Sequence, residues 1–363
     1  MSASVRVGVV GLGEAGETLH LPAIASHPEA QLVGVCDGDS SRREAAAARW
    51  GVTAYPNVET MLSSVHPDLV VVATPPESHA SICLQVLAAG SHVLCEKPFV
   101  MTVDEADRVL AATSHRSVTV NHEFREMPIF RAMVDAARHP GAGDLVFAQA
   151  WQQYDLPPWK ESGWRGALDR RTLFEAGVHL LDLLVGLFGA SPVSVHCVTS
   201  AAGQDARNRD ALVVATLEFP GGRLGVLTQN RMARGEPQYF EARADTTRAS
   251  FRASFGGRAR LSAGMHRKRP HVRLEYGASG IAWKEIGATR HLLARNPSSP
   301  NVAATRVVLD RALRATRAGV AGGDAAHARL LTAVIAACYQ SASSGRRVEL
   351  EPSSATIQDG RRL

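Results

Sequence analysis

Lysine is scarce in this 363-residue chain: Lys97, Lys160, Lys268 and Lys284 are the only four among 40 basic residues, and Lys97 stands alone in the first 159 positions. Cysteine is sparse as well. Cys36, Cys83, Cys95, Cys197 and Cys338 are odd in number and widely spaced, with no C-x-x-C pair, which argues against a disulfide framework or a zinc ribbon. Free thiols in a reducing compartment are expected instead. Long apolar runs are also missing, since the stretches at 179–188 and 330–338 are too short or too interrupted to cross a bilayer. No basic-then-apolar leader precedes the first apolar strand. A cytoplasmic protein with no membrane partner is expected.

Charge of one sign is nearly balanced by the other. Forty basic against 35 acidic residues leave +5, a small excess for a chain of this length, and this points away from nucleic acid. The densest basic cluster, 258–273, alternates like strands and reads as a solvated sheet face. With 45% hydrophobic residues the chain can bury a sizeable core, and its length suggests two domains.

Short β-branched runs at 5–10, 31–36, 69–73, 92–95 and 118–121 alternate with helical patterns at 19–26, 41–50, 58–63, 78–89 and 103–114. Apolar strands separated by helices require a parallel sheet covered on both faces, so residues 1–124 read as a doubly wound α/β domain. The rhythm then changes. Helices at 128–138 and 174–188 and a strand at 144–154 precede strand after strand from 193 to about 287. Gly221-Gly222 and Gly256-Gly257 sit where hairpin turns are needed. Residues 125–350 therefore form an α+β domain on a large, mostly antiparallel open sheet, ending in helices at 301–318 and 324–343 that can pack back on the first domain. A polar tail, 351–363, closes the chain.

The first strand runs into Gly11-Leu12-Gly13-Glu14-Ala15-Gly16 and then a helix. In this setting the glycines permit a tight turn, close approach of a pyrophosphate and close helix packing. The second strand ends at Asp37, where a carboxylate accepts hydrogen bonds from ribose hydroxyls and repels a 2′-phosphate, placing NAD ahead of NADP; nearby Arg42 keeps NADP open. Thr74 and Pro75 with His79 come after the strand at 69–73 and should line the cofactor cleft. Glu96-Lys97-Pro98 comes after the strand at 92–95, and lysine, unlike arginine, can exchange a proton near neutrality. Glu175 and His179, four apart on a helix, share a face, so the carboxylate can orient the imidazole; Asp182 lies one turn on. Two or three such groups on one helix make a weak metal site, and no metal is expected.

Together these motifs resemble the Gfo/Idh/MocA family of nicotinamide-dependent oxidoreductases, the group that includes glucose-fructose oxidoreductase and inositol dehydrogenase. The resemblance also draws on 89–98, Gly163-Trp164-Arg165 and Cys338-Tyr339-Gln340-Ser341. It implies a Rossmann domain, a C-terminal α+β domain, a substrate pocket between them, and Lys97 and His179 serving a sugar or polyol. Glu175 stands where the family more often has aspartate. The open sheet is implied to mediate a homodimer or homotetramer.

The expected reaction is hydride transfer between the nicotinamide and a hydroxyl-bearing carbon of a sugar, cyclitol or related compound. His179 handles the proton and Lys97 stabilises the oxygen, or the reverse, with Glu175 and Asp182 tuning them. Arg125, Tyr154, Trp164, Arg165 and Asp182 are candidates for the substrate pocket. An NAD-dependent glycoside hydrolase and a non-catalytic sugar or dinucleotide sensor are the alternatives.

Overall fold

The computed structural model describes residues 4–155, 163–201, 210–233, 239–256, 259–266, 269–276 and 280–351. The chain divides into two compact units, Met1–Glu126 with Asn301–Ala336, and Met127–Pro300 with Ala337–Ser354.

The first unit is built on strands β1 (Val5–Val10), β2 (Ala30–Cys36), β3 (Ala54–Tyr55), β4 (Leu69–Val72), β5 (His92–Cys95) and β6 (Ser117–Val120). They pair in parallel in the order β6-β5-β4-β1-β2-β3, with Gly322–Gly323 added beside β6. The apolar runs are continuous because both faces are covered. On one face Val70, Val72, Val93, Cys95, Val118 and Val120 pack against α2 (Val58–Val65), α3 (His79–Ala88) and α4 (Val103–Ala111). On the other, Val7, Val9, Val35, Val71 and Leu94 meet Leu21 and Ile24, α1 (Ser40–Trp50) and Val308, Leu309, Ala312 and Leu313 of a late helix, Pro300–Ala318. Side chains at the starts of α1, α2 and α4 (Asp39, Asn57, Thr102) take up backbone N–H groups that a helix leaves unsatisfied, and Thr102 with Glu105 forms a capping box.

In the first unit two helix boundaries differ from the sequence reading by three residues. The helix expected at 19–26 begins at Gly16 with a π-helical turn, Gly16–His20, before Leu21–Ala25. The one expected at 103–114 stops at Ala111, where Ala112 caps it through bonds to Arg108, Val109 and Leu110 carbonyls.

The second unit carries β7 (Leu145–Gln153), β8 (Ser194–Ser200), β9 (Leu212–Phe219), β10 (Arg223–Asn230), β11 (Tyr239–Thr246), β12 (Ser250–Gly256), β13 (Ala259–His266), β14 (Arg269–Tyr276), β15 (Ile281–Ile286) and β16 (Thr289–Arg295). Eight of these strands, with Val348–Glu349, make one sheet in the order β16-β15-β12-β11-β7-β10-β9-β8, antiparallel except for β7 beside β10. Its buried face is rich in alanine: Ala148, Ala150, Ala215, Ala242, Ala244, Ala253 and Ala282. Small side chains let helices approach closely, and aromatic pairs seal the contact, Phe130 with Phe240 at 4.8 Å and Phe188 with Phe219 at 3.9 Å between ring centres.

Gly221 and Gly222, at φ +81° and +71°, turn β9 into β10, as the hairpin signal requires. Gly256 ends β12 but turns no hairpin into the next strand. β12 pairs with β11 and β15, whereas β13 pairs only with β14 in a separate two-stranded ribbon. The basic 258–273 stretch thus falls largely on that ribbon rather than on the main sheet; Gly257 lies outside the described residues. All five cysteines are buried and free of disulfides, and no helix among the described residues is long and apolar enough to cross a membrane.

Candidate active site

In the first unit the sequence-predicted residues gather at the carboxyl edge of the parallel sheet, where strand ends hand over to loops. Gly11 has φ +94°, and a Cβ built there would lie 2.5 Å from the Ala73 carbonyl; one on Gly16 would lie 2.1 Å from the Gly11 oxygen. Both positions exclude any side chain for reasons internal to the fold. Gly13 differs, because a Cβ there meets nothing within 4 Å. Its bareness leaves an open cradle on the loop, the feature a close-approaching pyrophosphate needs.

Asp37 completes this loop from the end of β2. Its Oδ2 accepts from the Leu12 amide at 2.7 Å and its Oδ1 from the Asp39 amide at 2.9 Å, which fixes the carboxylate while leaving lone pairs for hydroxyl donors. Arg43 donates to the Asp37 and Gly38 carbonyls, whereas the Arg42 side chain is exposed. These residues fit a dinucleotide, with Gly11, Gly13, Glu14, Ala15 and Gly16 on one side and Asp37 at the ribose end.

The loops after β4 and β5 are tied together by His79. The ring is buried; Nδ1 lies 2.9 Å from the Pro98 carbonyl and 3.1 Å from that of Phe99, while Nε2 lies 2.8 Å from the Thr74 carbonyl. Ser78 Oγ bonds Thr74 Oγ1 and the Pro75 carbonyl. His79 therefore braces the turn that carries Thr74 and Pro75 against the one that carries Pro98.

Glu96 is buried beside Lys97. Its Oε1 accepts from His20 Nε2 and from Asn121 Nδ2, both at 2.7 Å, and its Oε2 from the Lys97 amide at 3.1 Å. Burial alone would raise this carboxyl, but the His20 hydrogen bond and the charges of His20 and Lys97, with Asn121, hold it well below the usual carboxylate range. An ionised, triply bonded Glu96 fixes the backbone from which Lys97 projects. His20 and Asn121 are not singled out by sequence. His20 closes the π-helical turn and Asn121 directly follows β6, yet nothing local marks them as partners of residue 96. Arg125 lies in a buried charged group in which Arg311 bridges Glu126 at 3.1 Å and Asp324 at 2.9 Å.

In the second unit the segment leading to His179 is not one regular helix. A π-helical stretch, Thr172–Gly177, precedes α-helix Val178–Phe188, so the helix expected at 174–188 starts earlier and more widely wound. Its first amides are satisfied from far along the chain. Asp210, fully buried, accepts from the Arg171 amide at 2.9 Å, the Leu173 amide at 3.1 Å and the Tyr339 hydroxyl at 2.8 Å. The Tyr339 oxygen in turn accepts from the Phe174 amide at 3.1 Å. Burial, then the charge of Asp210, pushes the Tyr339 phenol up.

Glu175, on this stretch, bonds Arg165 Nε at 2.5 Å, and the Arg165 guanidinium lies 4.6 Å from the centre of the Trp164 ring. Spacing alone offers Glu175 to His179 and sets Trp164 and Arg165 apart as pocket wall; the structure joins Glu175 to Arg165, and Arg165 to Trp164. His179 and Asp182 are buried on the α-helix just beyond. Tyr154 comes directly after β7, its phenol pushed up by burial while the charges of Arg231, Glu175, Asp210 and Arg171 act on it. Sequence reasoning misses Asp210, Arg171 and Arg231, because their roles arise only when β9 and β10 are set beside this stretch.

Comparison with known proteins identifies the family. Residues 5–124 match the oxidoreductase family model with NAD-binding Rossmann fold, GFO/IDH/MocA, and residues 130–268 match a C-terminal domain model of the same family. A UDP-N-acetylglucosamine 3-dehydrogenase of Acidithiobacillus ferrooxidans is 30% identical over 232 residues, 63% of this chain and 68% of that one. Among solved structures, the aldose-aldose oxidoreductase of Caulobacter crescentus, complexed with glycerol, superposes with TM-score 0.78 at 19% identity over 96% of this chain and 100% of that one. The WlbA dehydrogenase of Bordetella pertussis, in complex with NADH and UDP-GlcNAcA, gives 0.75 at 21% over 96% and 99%. The chain belongs to the Gfo/Idh/MocA family. It is an oxidoreductase with an NAD(P)-binding Rossmann domain.

Proposed function

We propose that the protein oxidises or reduces a hydroxyl-bearing carbon of a sugar, cyclitol or related polyhydroxy compound with NAD, and with NADP less well, in a reducing cytoplasm. The observation that carries this reading is the triply bonded Glu96 beside Lys97, set at the same sheet edge as the Gly13 cradle and Asp37. When bound, the nicotinamide supplies the acceptor or donor of hydride. Gly11 to Gly16 and Asp37 hold the dinucleotide, and Thr74, Pro75 and His79 shape the neighbouring turn.

Removal of hydride from a secondary alcohol requires the hydroxyl proton to leave as well. In this reading His179 takes that proton and Lys97 holds the oxygen as its charge grows. Glu96 keeps the lysine backbone in place; Tyr154, Trp164, Arg165, Arg125 and Asp182 shape the pocket. Names of relatives that act on UDP-N-acetylglucosamine and on aldoses support a sugar, and the NADH-bound relative supports NAD.

A thermal-shift screen with NAD(H) and NADP(H), then absorbance at 340 nm over a panel of polyols, aldoses, uronates and nucleotide sugars, tests the proposal. A larger rise in melting temperature with NAD is expected, and a rise with neither dinucleotide refutes it. His179→Ala should lower kcat by about 10²- to 10⁴-fold while the NAD shift remains.

A second copy is assigned to the side of the large sheet where Val198, Val214 and Leu224 are exposed. Val198→Arg with Val214→Arg should reduce the assembled mass in light scattering.

A further inference from the structure

We propose that Arg165, stacked on Trp164 and held by Glu175, selects sugars that carry an oxyanion, a carboxylate or a phosphate, near the reacting carbon, and that Glu175 is the positioning residue for this arginine. The inference rests on the oxidoreductase reading above and names the substrate class within it.

Three observations carry it. Glu175 binds the guanidinium through Nε, and the two Nη groups make no other hydrogen bond among the described residues. The plane of the fork is fixed on its face by Trp164 at 4.6 Å and on its edge by the carboxylate, while the arginine side chain keeps 27% of its surface exposed. A planar donor pair with its orientation already set is the arrangement that binds carboxylate or phosphate in a bidentate manner. The two methylenes of Glu175 carry its carboxylate out to that guanidinium.

Glu175, on the π-helical stretch, and His179, on the α-helix that continues it, are four residues apart, about one turn. An oxyanion held by Arg165 would therefore sit within one sugar ring of a carbon whose proton His179 handles.

Steady-state NAD reduction with D-glucose, D-glucuronate and D-glucose 6-phosphate decides the matter. For wild type, kcat/KM should be about 100-fold higher with at least one oxyanion sugar than with glucose, and the two oxyanion arms separate carboxylate from phosphate. Arg165→Lys keeps the charge but loses the fork. It should cost about 100-fold with the oxyanion sugar and less than about 10-fold with glucose. Glu175→Gln should raise KM for the oxyanion sugar by about 10-fold, with the apparent pKa of the kcat profile unmoved; the lysine variant gives an independent reading if this one folds poorly. Glucose used as well as both oxyanion sugars, equal losses on all three in Arg165→Lys, or a displaced kcat profile in Glu175→Gln would overturn the proposal. Turnover of glucose alone removes this inference and leaves the oxidoreductase reading standing. Turnover of none of the three, with NAD still bound, removes this inference; only failure across the whole panel of polyols, aldoses, uronates and nucleotide sugars removes the sugar reading with it.

Discussion

Two buried carboxylates hold the two groups of candidate residues, and they do so in opposite ways. In the first unit the carboxylate belongs to the motif itself: Glu96 is the acceptor, and His20, Asn121 and the Lys97 amide donate to it. In the second unit the motif is the one left wanting. The backbone amides around Thr172–Gly177 need acceptors, and Asp210 and Tyr339, 37 to 165 residues further on, supply them. The first arrangement comes from a parallel sheet, which delivers every strand end to the same edge in turn. The second depends on β7 lying beside β10 and on a late helix returning, and no short stretch of chain encodes that.

The largest effect expected on this comparison comes from Gly16→Val. A Cβ there would stand 2.1 Å from the Gly11 oxygen, so the first unit should lose about 4 kcal/mol or more together with its response to NAD, measured by denaturant unfolding and thermal shift. If Gly16→Val melts like wild type, the tight loop is not what holds that half.

Asp210→Ala strikes the other half. It strands two amides and a hydroxyl in a buried place and should cost about 3 kcal/mol. Fluorescence-monitored unfolding would check this. The NAD-induced shift should persist, because the residues proposed to hold the dinucleotide lie in the other unit; its loss would show that the halves are not separable in this way.

Acid should weaken the first unit through a histidine outside the site. Burial, then the charge of Arg116, lowers His92 from 6.5 to about 4, and its Nδ1 accepts the Ser117 amide at 3.1 Å, a role that a protonated nitrogen cannot fill. The folded state thus binds this proton less readily than the unfolded chain. Stability is full above pH 6.5 and falls as pH drops from 6.5 toward 4, by about 2 kcal/mol at pH 5. His92→Gln should flatten that part of the stability-versus-pH curve. Glu96, also held low, adds its loss only at more acid pH.

The smallest change in stability is expected of Gly13→Ala, whose new methyl meets no atom within 4 Å. Unfolding should shift by less than about 0.5 kcal/mol, while NAD binding weakens because the methyl occupies the cradle. A variant that binds NAD normally would move the pyrophosphate away from Gly13.

How much is legible differs between the halves for the same reason. Strands Val5–Val10 and His92–Cys95 and helix Pro128–Arg138 appear at the positions their apolar periodicity marks. Gly11, Asp37 and Lys97 can be picked out because each sits at a strand end. Glu175 can be picked out as chemistry, but its partner cannot, since helical spacing points to His179 and the structure adds Arg165. Gly256 looks like a second Gly221, yet only the pairing of β12 with β15 shows that the chain there leaves the sheet.

Residue by residue, the chain dictates where most strands and helices form, which loop must be bare, and which side chains are candidates for chemistry, because those depend on periodicity and on local backbone freedom. Partners are another matter. That Asp210 feeds the amides before Glu175, that Asn121 and His20 meet at Glu96, and that residues 308–313 close a face of the first sheet were decided only when distant segments packed together. Burial makes each unsatisfied polar group costly, and it is the three-dimensional neighbours, not the sequence ones, that can satisfy it.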